Sequence, residues 1–70
     1  MKYLKLWFED DDKVKQIGRQ SDRYVIESIS IRNKEWTRNS DMERKLINDS
    51  DLEFISEERA KVIIERILNS

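Results

Sequence analysis

Hydrophobic positions near the end of the chain recur with the period of a helix. Ala60, Ile63, Ile64, Ile67 and Leu68 fall at i, i+3, i+4, i+7 and i+8, which puts them on one helical face. Ser56 stands where an N-cap belongs, and Glu57 and Glu58 fill the first turn, where the helix dipole favours negative charge. Ile55 can staple onto Ala60, Glu57 and Lys61 form an i,i+4 pair, and Arg66 lies near the C-terminal end. The pattern predicts a helix from Glu57 to about Leu68.

Earlier in the chain the period is two. Lys2 to Glu9 reads as a strand, with Leu4, Leu6 and Phe8 on one face and Tyr3, Lys5, Trp7 and Glu9 on the other. Asp10, Asp11 and Asp12 end it, and Lys13 to Ile17 reads as a returning strand carrying Val14. Gly18 is the single glycine and predicts a turn near residues 18–22. Arg23 to Asn33 is the most β-like stretch. Val25, Ile29 and Ile31 share one face, while Tyr24 and Ile26 share the other with Ser28 and Ser30, which suits a strand with apolar contacts on both faces or one with a bulge. Asn33-Lys34 is a candidate hairpin turn, returning through Glu35, Trp36, Thr37 and Arg38. Ser40-Asp41-Met42-Glu43 has the form of a capping box opening a short helix over 41–47, with Met42 and Leu46 on one side. Asn48 to Asp51 reads as a polar loop, and Leu52-Glu53-Phe54 as an extended segment.

Strands first and helices after argue for the α+β class. The expectation is a single domain over 1–70. A small antiparallel sheet of three to four strands carries a short helix (about 41–47) and a C-terminal amphipathic helix (about 57–68) packed on one face. The C-terminal helix should cover the face of Leu4, Leu6 and Phe8. Tyr3 and Trp7 then point away from it, with Tyr24 and Ile26 beside them. Either a loop or the short helix covers this second face, or it forms an interface, since extended apolar patches usually mark one. The candidate interaction surface is Tyr3, Trp7, Tyr24, Ile26, Trp36 and Arg38.

Composition narrows the chemistry. Cysteine and histidine are both absent from the 70 residues, which removes disulfides, the usual zinc ligands, a thiolate nucleophile and the side chain poised near neutral pH. No catalytic residue, cofactor or metal is expected, and the chain is read as a non-enzyme. Counting a calcium loop from Asp49 places Asp51 and Glu53 correctly but puts Phe54 where glycine belongs and Ala60 where the closing glutamate belongs. One glycine cannot build a phosphate-cradling loop. No apolar run approaches the roughly 20 residues of a membrane span. The first residues are too charged for a signal peptide, so the expected compartment is the cytoplasm. A chain this short buries only about 60% of its unfolded surface, which favours self-association, so a homodimer is expected beside or instead of a protein partner.

Charged residues make up 41% of the chain, 14 basic against 15 acidic. They are segregated: residues 13–23 carry four positive charges and one negative, residues 41–58 seven negative and two positive. Lys13, Lys15, Arg19 and Arg23, then Arg32, Lys34, Trp36 and Arg38, interleave basic and aromatic side chains in the manner of single-strand nucleic-acid binders. The pI near 5.4 weighs against that reading. The acidic stretch reads as a solvated surface or as a mimic of nucleic-acid phosphates.

From Tyr24 onward the landmarks form a series. A β-rich run ends in Trp36, a capped segment starts at Asp41, and Asp51-Leu52-Glu53-Phe54-Ile55-Ser56-Glu57-Glu58 leads into Ala60 and Ile63-Ile64. Residues 24–68 in this respect resemble small uncharacterised proteins of Gram-positive bacteria and their phages and prophages. The resemblance implies a phage or mobile-element accessory protein that binds and inhibits or regulates a host protein, such as a bacterial immune-system component. A homo-oligomer that sequesters a small ligand or nucleotide, using Trp7 and Trp36, is the alternative, and weak single-strand nucleic-acid binding is the third reading.

Overall fold

Apolar side chains alternate to both sides of the strands, so both faces of the sheet need cover. The computed structural model describes residues 1–48 and 51–70. Five strands form one antiparallel sheet: β1 (Lys2–Leu6), β2 (Gln16–Asp22), β3 (Val25–Ser30), β4 (Thr37–Arg38) and β5 (Leu52–Ile55), in the order β4-β3-β2-β1-β5. Two helices, α1 (Ser40–Ile47) and α2 (Glu57–Leu68), complete an α+β domain. The class, the antiparallel sheet and both helices agree with the sequence pattern. The sheet gains a fifth strand because the Leu52 segment pairs with β1, setting Leu4 opposite Phe54 and Leu6 opposite Leu52.

The helices divide between the two faces instead of packing on the one face expected, because the strands carry apolar residues in both phases. Val14, Ile17, Ile29 and Ile55 pack with Ala60, Ile63 and Ile67 of α2, and Tyr3, Ile31, Trp36 and Ile64 pack around them. Leu4 and Ile26 pack with Met42 of α1, flanked by Leu46 and Leu52. The expected placement of α2 over Leu4, Leu6 and Phe8 is thus reversed. Leu4 faces α1, Tyr3 faces α2, and Phe8 lies beyond the strand, which ends at Leu6. Alternation gives the phase of a strand but not which helix claims which phase. Of the two alternatives for β3 the first holds, since Ile26 and Ile29 are buried on opposite faces, while the irregularity lies in β2, where the register shifts between Gln20 and Asp22.

Gly18 corrects the turn expected at 18–22. It lies inside β2 opposite Leu4 and Ser28, without a positive φ, and the turn falls after Asp22. Its role is room. A Cβ there would come within 2.9 Å of Met42 Sδ, 3.0 Å of Ile26 Cγ2 and 3.4 Å of Leu4 Cγ. The returning strand expected at 13–17 begins only at Gln16, because Asp11–Lys13 forms a 3-10 turn. The hairpin turn expected at Asn33-Lys34 opens into a longer connection. Asn33 folds back on Ser30, whose N–H donates to the Asn33 carbonyl at 3.0 Å, and β4 pairs only at Arg38 with Glu27 and Thr37 with Ser28. The polar loop expected at 48–51 includes residues 49 and 50, which lie outside the described residues.

Both helix starts are fixed by side chains. Ser56 Oγ accepts from Arg59 N–H at 3.2 Å, as its position predicted. At α1 the cap is Asn39 rather than Ser40. Asn39 Oδ1 accepts from Met42 N–H at 3.0 Å, its Nδ2 donates to the buried Ser28 Oγ, and its own N–H donates to Ile26 O at 2.8 Å. Glu43 departs from the capping box as well. Its Oε2 accepts from Ile26 N–H at 3.0 Å, filling the ladder position that β4 leaves when the chain turns into α1.

Lys5 is almost fully buried on the α2 side of the sheet. Its ammonium lies 2.9 Å from Glu53 and donates to the carbonyls of Glu9 and Leu6, so the buried charge has a partner and its donors have acceptors. Arg66 donates to the carbonyls of Asp11 and Val14, both at 2.6 Å, and ties the last turns of α2 to the segment after β1.

Gly18 yields a direct test. Overpacking costs about 1–3 kcal/mol, against about 0.4–1 kcal/mol returned when glycine is replaced at an unstrained position. Gly18→Ala is therefore expected to destabilise by about 1 kcal/mol and Gly18→Val by more. Adding Met42→Ala should make the Gly18→Ala step less costly than in the parent. Urea midpoints of the parent, Gly18→Ala, Gly18→Val, Met42→Ala and the double variant check this, and a stabilised Gly18→Ala would show that Met42 and Ile26 yield freely.

Candidate interaction surface

The six residues expected to form one surface are distributed over the molecule. Ile26 is fully buried between β3 and α1. Tyr3 and Trp36 are half-buried against the core beneath α2. The Trp36 ring is also covered by Arg19, whose guanidinium carbon sits 4.1 Å from the ring centroid while its Nε donates to Glu27 at 3.0 Å. Arg38 is exposed, and its guanidinium grips Glu43 through two hydrogen bonds of 2.8 and 3.1 Å. Tyr24 is 53% exposed in the β2–β3 turn, beside Arg23. Trp7 is 67% exposed just past β1. Trp7 and Tyr24 lie at opposite ends of the sheet, because Lys2, at the start of β1, pairs with Gln20 near that turn.

Other aromatic residues stand exposed in the turn after β1 and along β5. Trp7 and its neighbour Phe8, 65% exposed, project from the turn where Glu9 N–H donates to Leu6 O. Trp7 N–H donates to Asp51 O at 2.9 Å and carries the β1–β5 ladder one step past the strands. Further along β5, Phe54 is 48% exposed, with Lys2 Nζ 5.8 Å from its ring centroid. Phe8 is absent from the expected surface because alternation puts it on the face expected under the C-terminal helix, and Phe54 because its segment reads only as extended. The available signal was the Trp7-Phe8 pair directly before four acidic residues, since adjacent large apolar residues cannot both enter one face of a strand that is ending.

Charge beside the turn after β1 is partly internal. Asp11 receives two bonds from Arg59, at 2.9 and 2.8 Å, and Arg59 also approaches Glu53 at 3.7 Å. Asp10 and Asp12, on either side, are exposed. The basic and aromatic residues that suggested nucleic acid are largely engaged within the chain: Arg19 with Glu27 and Trp36, Arg38 with Glu43, Lys13 with Asp10, and Lys34 with the carbonyl of Ser70. Among the described residues, no group of three carboxylates is close enough to hold a metal ion, and no helix is long and apolar enough to cross a membrane. An open hollow of about 400 Å³ lies along Asp41, Arg44, Lys45 and Asn48, on the polar side of α1.

Two carboxylates have their acidity raised by hydrogen bonds within the fold. The Arg59 hydrogen bonds hold the Asp11 pKa below its ordinary value, against the opposing effect of burial, with help from the charges of Lys5 and Arg66. The Arg38 hydrogen bonds, then the Ile26 N–H, lower that of Glu43 in the same way. A folded-state pKa below the unfolded one adds stability that is complete above the unfolded value and is lost as pH falls through the folded one. Unfolding midpoints in urea should therefore hold their contribution from these groups down to about pH 5 and lose it below about pH 4. The Asp11→Asn, Glu43→Gln double variant should show a shallower acid limb, and an unchanged limb would contradict this assignment. No family model, curated protein or solved structure matches the chain.

Proposed function

We propose that this domain is a non-catalytic protein-binding module whose contact surface is the β1/β5 corner, centred on Trp7 and Phe8. The observation that carries this reading is their joint exposure, 67% and 65%, on one tight turn of a domain whose strand-borne apolar residues, Phe54 aside, are buried or half-buried. Tryptophan and phenylalanine supply large contact area with few rotors, and aromatic residues are enriched at interface cores. Asp10 and Asp12 border the pair and favour a partner whose apolar pocket is rimmed by lysine or arginine. The resemblance of residues 24–68 to phage and prophage proteins supports a host protein as that partner. The domain then acts in the cytoplasm as an accessory factor that inhibits or regulates that protein.

The test is affinity capture from a Gram-positive host lysate with the parent and with Trp7→Ser, Phe8→Ser. A hot-spot pair is worth about 2 kcal/mol or more, so the variant should lose at least about 10-fold in affinity for the captured protein. Its melting temperature should stay close to the parent's, because both side chains stand outside the core. Equal capture by both proteins would remove the proposed surface.

A further inference from the structure

The two edges of the sheet are finished differently. At the β4 edge the strand is two residues long, and the β3 groups beyond it are met by Asn39 N–H and the Glu43 carboxylate. At the β5 edge, no strand among the described residues pairs with the outer side. The Trp7–Asp51 hydrogen bond sets the phase of the β1–β5 ladder. Bonded pairs alternate in an antiparallel ladder, so Glu53 and Ile55 turn their N–H and C=O groups toward β1. Leu52 and Phe54 turn theirs outward. β5 contains no proline, lysine or bulge, the usual means by which an edge is protected, and its single charge, Glu53, is held by Lys5.

The geometry points to a second copy of this chain as the occupant of that edge, joined by antiparallel β5–β5 pairing with Phe54 opposite Phe54 across a two-fold axis. Two identical strands related by an axis normal to the sheet keep their faces. Only residues of the same parity can then oppose one another, and the axis passes midway between the two copies of one β5 residue. An axis at Glu53 sets two carboxylates face to face, which is unfavourable. An axis at Phe54 joins the outward N–H and C=O groups of the two Phe54 residues, packs their half-exposed rings together and sets Glu53 beside the second copy's Ile55. Four-residue strands bury less than the roughly 1,200 Å² of a standard interface, so the pairing is reversible and concentration-dependent. Trp7 and Phe8 are not required for it, and it stands apart from the proposed partner surface.

The sequence has no cysteine, so single substitutions report directly. Opposed residues of a bonded pair have Cα atoms about 5.5 Å apart, within disulfide range. Under mild oxidation Phe54→Cys should form a disulfide dimer at least about 10-fold faster than Val62→Cys, an exposed position on α2. The parent should sediment as a monomer–dimer mixture at high micromolar concentration. Phe54→Lys should be monomeric there, with an unchanged circular dichroism spectrum and retained capture of the Trp7-dependent partner. A parent monomeric at about 1 mM, or Phe54→Cys no faster than Val62→Cys, would overturn the proposal. So would faster linkage between Leu52→Cys and Phe54→Cys in a mixture, which marks the axis at Glu53. Loss of partner capture by the Trp7 and Phe8 variant alone would leave it untouched.

Discussion

A five-stranded sheet presents two faces, and this chain has one helix for each, of unequal length. That inequality governs the rest of the structure. The twelve residues of α2 span about 18 Å and cover the Tyr3–Ile17–Ile29 face. The eight of α1 span about 12 Å and cover only the middle of the other, above Leu4 and Ile26. So short a helix must lie close to be useful, and Gly18 allows it by leaving the space under Met42 that any other residue would fill. Asn39 fixes its start to the sheet through Ser28 and Ile26, and Glu43 completes the ladder beside it. At β5 the helix meets Leu52 and, through Lys45, Asp51, and Phe54 stays half bare.

Charge joins the pieces that hydrophobic contact is too sparse to join. Lys5 occupies a core position that alternation would give to an aliphatic residue, and Glu53 on the neighbouring strand balances it. Removing one member of a buried pair is typically costlier than removing both, because the remaining charge is left without compensation. The turn after β1 is clamped to α2 by Arg59 on Asp11 and Arg66 on two carbonyls. The acidic run at 9–12 that looked like a solvated turn contributes a structural anchor through its third member.

Much of the secondary structure was legible because its causes are local. The spacing of Ala60, Ile63 and Ile67 and the cap at Ser56 determine α2 within a dozen residues. The pairing of faces with helices is a long-range fact, and Tyr3 and Leu4 exchanged sides for that reason. Gly18 was misread because a missing side chain serves conformation or space alike, and only neighbours 14 and 24 residues away, Leu4 and Met42, distinguish the two. Of the expected surface, Trp7 and Tyr24 are exposed as anticipated, while Ile26 went to the core and Trp36 to a stack with Arg19. Exposure of Phe8 and Phe54 follows from where β1 stops and how short α1 is, neither of which is written in the alternation itself.

The position of β1 has a further consequence, for the order in which the molecule can assemble. β1 comes first along the chain yet sits between β2 and β5, so Leu4 has one neighbour in Gly18 and another in Phe54. The first pairing closes a short loop and the second a loop of about fifty residues, at an entropic cost that only the complete contact set recovers. The β2–β3 hairpin can form from nearby residues alone. During synthesis β1 remains an open edge, with Lys5 lacking its partner Glu53, until the segment carrying Glu53 and α2 has left the ribosome. The interval between those events is when this chain is most open to mispairing, and it is set by the spacing of the strands rather than by their stability once joined.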